Sequence, residues 1–124
     1  MAGNGAGHRV GIEFLQVQTM TDSRAEAMEL ARAAVVERLA AGSQVPGPVA
    51  STFWWNDEIE RAEEWLVFFK TTADRCEELI QLIAERHSYD EPEIVAVPLI
   101  AGSAAYLTWL REETRPDPAG ARPD

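Results

Sequence analysis

Hydrophobic positions along this chain recur with two different periods, and the places where one period gives way to the other divide it into elements. From Val10 to Thr19, the residues Val10, Ile12 and Phe14 alternate with smaller or polar ones before Leu15 and Val17 change parity, which predicts a strand with a bulge. Ser23 with Glu26 three residues later is a capping box, and Met28, Ala31, Val35 and Leu39 then repeat at helical spacing until Gly42 ends a first helix. Pro46-Gly47-Pro48 predicts a turn, Val49 to Trp55 a second strand rich in β-branched and aromatic residues, and Asn56-Asp57-Glu58 a hairpin turn. A third strand is expected from Glu64 to Thr71, where Trp65-Leu66-Val67-Phe68-Phe69 is apolar without alternation. Thr71 or Thr72 caps a second helix, in which Cys76, Leu79, Ile80 and Ile83 form one stripe while Glu77, Glu78, Gln81 and Glu85 face water. Beyond Pro92, Glu93 to Leu99 reads as a fourth strand, and Ser103 caps a short final helix carrying Tyr106, Leu107, Trp109 and Leu110.

The order is βαββαβ plus a C-terminal helix, an α+β sandwich of the split βαβ kind called ferredoxin-like. In that architecture two helices cover one face of the sheet and leave the other bare. Strand side chains alternate, so Trp65, Val67 and Phe69 cannot share a face with Leu66 and Phe68, and one set must lie on the bare side. An exposed apolar patch of that size marks an interface. Trp54, Trp55, Trp65 and Phe69 are the candidate interface residues, and the expected partner is a second copy of the same chain.

Composition narrows the picture. A chain of 124 residues suits one domain, expected at residues 10–113, with a flexible segment 1–9 and a disordered tail 114–124 rich in proline. Eleven basic against twenty-one acidic residues leave a net charge of −10, which repels phosphate backbones and anionic lipid and excludes nucleic acid and membrane as expected partners. Cys76 is the single cysteine and has no disulfide partner; with no signal-like opening, a cytoplasmic location is expected. No nucleophile motif, paired-histidine metal spacing or glycine-rich phosphate loop is present, so the chain is not expected to be an enzyme.

Five separated motifs then arrive in one order: Phe53-Trp54-Trp55, Ile59 with Glu63, Lys70-Thr71-Thr72, the run from His87 to Ile94, and Tyr106-Leu107-Thr108-Trp109-Leu110. In these the sequence resembles the CutA divalent-cation tolerance proteins, from about Phe14 to Glu112. The resemblance implies a ferredoxin-like subunit in a tight homotrimer whose bare sheet faces turn inward, and a link to tolerance of copper and other heavy metals. It also implies copper ligands at a cysteine ending the first strand and at histidines before the tyrosine motif. Here Gln18 stands at the cysteine position, Arg86 replaces the first of an occasional histidine pair, and Gly42-Ser43 replaces a second frequent cysteine, so His87 alone remains of that ligand set.

His87 is therefore the candidate metal residue, with Asp90, Glu91 or Glu93 as oxygen donors and copper or another divalent cation as the candidate ion; against this stands a role as a packed, hydrogen-bonded side chain. Lys70, Tyr89, Glu91 and Trp109 are the candidate cleft residues, Lys70 either holding an anionic ligand between subunits or pairing with an acid such as Glu91. Asp57, Glu58, Glu60, Glu63 and Glu64 form an acidic run expected to be a solvated hairpin edge. Cys76 is expected to be buried and inert. Two functions follow: a CutA-like trimer in divalent-metal tolerance with weak Cu(II) binding, or a trimeric module like the PII signalling proteins that takes a small metabolite or a protein partner in its inter-subunit clefts.

Overall fold

The computed structural model describes residues 12–116, so Val10 and the segments 1–9 and 117–124 lie outside the described residues. The chain forms β1 (Phe14–Thr21), α1 (Arg24–Val36), β2 (Gly42–Trp55), β3 (Glu58–Thr72), α2 (Ala73–Arg86), β4 (Ile94–Pro98) and α3 (Ala104–Glu113). The four strands make one antiparallel sheet in the order β2-β3-β1-β4, the split βαβ arrangement that the order of periods predicts.

Helix α1 starts where expected. Ser23 is extended and its side chain accepts from the Glu26 N–H at 3.2 Å, satisfying one of the donors a helix start leaves open. Its end and its buried face differ from the expectation. Arg38, not a glycine, takes the left-handed conformation (φ 59°), and Leu39 N–H bonds back to the Ala34 carbonyl at 2.9 Å; Gly42 instead opens β2. The residues turned to the sheet are Ala27, Leu30 and Ala34, whereas Met28 and Val35 are exposed. Small side chains let the helix sit close to the strands, so the face with the larger residues is left outside.

Pro46-Gly47-Pro48 is no turn. It lies within β2, where the pairing steps from Gln44↔Phe68 to Gly47↔Leu66 and leaves one extra residue on β2. Gly47 has φ +135°, which only glycine adopts without strain. The prolines are tolerated because β2 is an edge strand and needs no amide donor on its free side. The bulge expected in β1 is absent, since its register to β3 runs unbroken from Phe14↔Thr72 to Thr21↔Trp65. The parity change there has another cause: Phe14 belongs to the second sheet face, where Leu110 of α3 and Ala41 bury it. Asn56 and Asp57 (φ 51° and 65°) form the two-residue turn, and β3 starts directly after it, so the acidic run beyond Asp57 is strand.

Alternation sorts the sheet into two faces. Toward α1 and α2 point Val17, Val67 and Phe69, all fully buried with Leu30, Leu79 and Ile83, and Trp65 packs against the same core. The assignment of Trp65 and Phe69 to a subunit interface is thereby corrected. Periodicity leaves open which of the two alternating sets meets the helices, and it is this one. Thr71 on this face donates its hydroxyl to the Leu39 carbonyl at 2.6 Å. The second face carries Leu66, Phe68 and Lys70 of β3, beside Gln16 and Gln18 of β1 and exposed Val95 and Val97 of β4. Among the described residues α3 covers its far end, packing Leu110 on Phe14. The expected tail at 114 begins too early, because Thr114 is buried and its hydroxyl caps α3 on the Leu110 carbonyl at 3.0 Å.

Candidate functional site

Helix α2 ends at Arg86, and the extended His87 that follows turns its side chain back into the protein, where it is 0% exposed. Its ring is closed on both sides. Nδ1 accepts from the Tyr89 N–H at 3.2 Å, which places the ring proton on Nε2, and Nε2 lies 2.9 Å from the Met20 carbonyl and 3.1 Å from Thr19 Oγ1. The Thr19 hydroxyl spends its own proton on the Glu93 carbonyl at 2.7 Å. The end of β1 is thus tied to the loop that leads into β4.

Glu26 completes the tie from α1. Its carboxylate accepts from the Ser88 N–H and from the Ser88 hydroxyl, each at 2.8 Å, and passes 3.8 Å from His87 Nδ1. The capping box is therefore half realised: Ser23 caps, while Glu26 is diverted to a loop distant in sequence. Tyr89 stacks at a tilt on His87, 4.9 Å between centroids, and donates its hydroxyl to Glu64 Oε2 at 2.9 Å. Burial, and after it the Glu64 hydrogen bond and charge, raise the Tyr89 phenol well above its ordinary value of 10.0.

Next to Tyr89 opens a cleft of about 550 Å³, lined by Phe53, Trp55 and Tyr89 and by the carboxylates of Glu64, Asp90, Glu91 and Glu93. Glu64 is its floor, only 9% exposed, with no cationic partner among the described residues. No basic side chain lines it among the described residues.

The candidate residues separate into two groups. Tyr89 and Glu91 share the cleft. Lys70 and Trp109 lie at the other end of the open face: Trp109 packs 3.5 Å from the position of a Gly42 Cβ, Gly42 pairs with Lys70, and Lys70 Nζ meets Gln44 Oε1 at 3.2 Å rather than Glu91. Trp54 (71% exposed) and Trp55 project from the β2–β3 hairpin, Trp55 toward the cleft. Glu64 and Glu26 were missed as functional residues. The last acid of a run, abutting the apolar stretch of β3, signals the first; nothing local signals the second.

As a metal ligand His87 does not fit. Its Nδ1 lone pair is occupied, Nε2 carries a proton held by two oxygens, and among the described residues no three histidine, cysteine or carboxylate side chains gather around one point. Gln18, at the position where the resemblance implies a cysteine, lies on the open sheet face between Phe68 and Val95. Cys76 is half-buried against the core rather than fully buried as expected, and burial, with a smaller push from Glu77, raises its thiol above the ordinary value. No helix among the described residues is long and apolar enough to cross a membrane.

The family model described as CutA1 divalent ion tolerance protein matches residues 15–113. A divalent-cation tolerance protein CutA of Thermus thermophilus is 39% identical over 88 residues, 71% of this chain and 85% of that one. A chloroplastic CutA of rice is 33% identical over 86 residues, 69% of this chain and 49% of the relative, so the chain spans about half the length of that plant protein. Among solved structures, CutA from Synechococcus elongatus superposes with a TM-score of 0.80 at 34% identity, over 84% of this chain and 92% of the other.

Proposed function

The chain belongs to the CutA1 divalent ion tolerance family, and from that premise we propose that it works as a homotrimer in divalent-cation tolerance, copper included, by binding rather than by catalysis. The observation that carries the assembly is the open sheet face. Leu66 and Phe68, with Val95 and Val97 at 42% and 40% exposure, form an apolar surface beside an exposed hairpin bearing Trp54 and Ile59. Closing such a face removes apolar side chains from water at up to roughly 1.5 to 3 kcal/mol each. A closed ring of identical subunits does this without leaving an edge that recruits more copies.

In this reading His87 is architecture, not the cation's ligand. Its hydrogen bonds to β1 and to Tyr89 hold the loop that shapes the cleft. The net charge of −10 raises the local concentration of cations around the whole particle.

Native mass spectrometry with one equivalent of Cu(II) per chain tests both parts. Wild type is expected at three chains per particle, with His87→Ala taking up the same amount of copper as wild type. Single chains would overturn the trimer. Loss of copper from His87→Ala, with the trimer kept, would restore His87 as a ligand.

A further inference from the structure

Glu64 and Lys70, both on the open face of β3, have no counter-charge among the described residues. Glu64 is almost wholly buried in the cleft and among the described residues meets the neutral Tyr89 hydroxyl alone. Among the described residues the Lys70 ammonium meets the neutral Gln44 side-chain oxygen and no carboxylate, and it lies 5.9 Å over the Phe68 ring. Both belong to β3 and share its open face, but six residue steps, roughly 20 Å at the rise of a strand, separate them. A lysine side chain cannot span that distance, so they do not pair within one subunit. Covering the face with another copy removes water from both, and a desolvated charge without a partner is strongly unfavourable.

We propose, building on the trimer reading, that Lys70 of each subunit enters the acid-lined cleft of a neighbouring subunit and pairs there with Glu64, beside Tyr89. The symmetry of a three-membered ring demands this kind of contact. Its interfaces are heterologous, so each subunit must present two different, complementary patches. The open face supplies them at opposite ends: a lysine, Lys70, beside Trp109, and an anionic, aromatic cleft with Glu64, Tyr89 and Trp55. The occupant of the cleft is then the chain itself, and the site is incomplete in a single subunit.

Carbodiimide cross-linking of trimers refolded from mixed light and nitrogen-15-labelled chains tests this. Zero-length coupling joins an amine to a carboxylate only when the two are in contact. The expected product is a Lys70–Glu64 peptide pair with one light and one heavy member, absent in Lys70→Arg, which keeps the charge and the trimer but has no amine to couple. Lys70→Met and Glu64→Gln are each expected to shift the trimer-to-monomer dilution midpoint by about tenfold, and the double variant no further than either alone. Intact trimers that give no mixed Lys70–Glu64 product would overturn the pairing and leave the trimer standing. Coupling of Glu64 to added ethylenediamine in such trimers would overturn it too, since the cleft would then be open to a small cation. Single chains in the native mass spectrum before cross-linking would overturn the trimer reading and the pairing together.

Discussion

The two faces of this sheet are built from alternate residues of the same strands, yet they have opposite fates. The face under α1 and α2 holds Val17, Val67 and Phe69 at zero exposure and bonds the hydroxyls of Thr19, Thr21 and Thr71 to backbone carbonyls, leaving the Ser43 hydroxyl opposite Phe69 as a buried neutral group without a partner among the described residues. The other face carries side chains of similar size, Leu66, Phe68, Val95 and Val97, and leaves them in reach of water, beside a lysine and a buried glutamate that have no counter-charge among the described residues. The difference teaches that hydrophobicity alone does not define the core. A face is finished when its apolar area is withdrawn from water and no charge is left without a counter-charge, and among the described residues only the first face meets that test within one subunit.

The largest effect should come from the finished face. Phe69→Ala removes a fully buried ring and is expected to destabilise the subunit by about 3 to 5 kcal/mol in chemical denaturation; Phe68→Ala, its neighbour on the open face, should loosen the assembly while leaving the helical signal of the subunit intact. Equal losses of subunit helicity in the two would erase the distinction between the faces. His87→Ala should follow in size. It strands the Tyr89 N–H and the Met20 carbonyl at about 1 to 3 kcal/mol, read as a lowered melting temperature. Ser23→Ala should lose about 1 kcal/mol through the cap of α1 alone, with no effect on assembly.

The smallest effect is on pH. The folded state raises the Tyr89 phenol above its unfolded value, so the stability it lends is fully present below that value, near 10.0, and is lost as the pH climbs beyond it. Tyr89→Phe should flatten the fall in stability above pH 10. An unchanged slope would remove the Tyr89–Glu64 contact from the account of the cleft.

Most of the fold was legible because period and turn chemistry agree along the chain. The apolar stripe of α2, the Asn56-Asp57 turn and the Ser23 cap are local signals, and each is where the pattern puts it. What was not legible depended on partners distant in sequence. The face of α1 was misread because Ala27 and Ala34, too small to dominate a periodicity, are the residues that approach the sheet. Pro46-Gly47-Pro48 has turn composition, and only its place on an edge strand makes it a bulge. The division of β3 into Trp65-Val67-Phe69 and Leu66-Phe68 was visible, but not which set the helices cover. Of the site, the candidate cleft residues were expected between subunits; within one subunit Tyr89 and Glu91 share a cleft while Lys70 and Trp109 occupy the opposite end of the face, a separation no local pattern signals.

The claim that matters most is that the open face is closed by copies of the same chain. Light-scattering mass measured in parallel on wild type and Phe68→Asp tests it most directly. Wild type is expected at three times the chain mass of 13.7 kDa, and the variant at a single chain mass with its helical signal retained. A wild-type protein that runs at 13.7 kDa, with Phe68 and the valines of β4 left in water, would contradict the account.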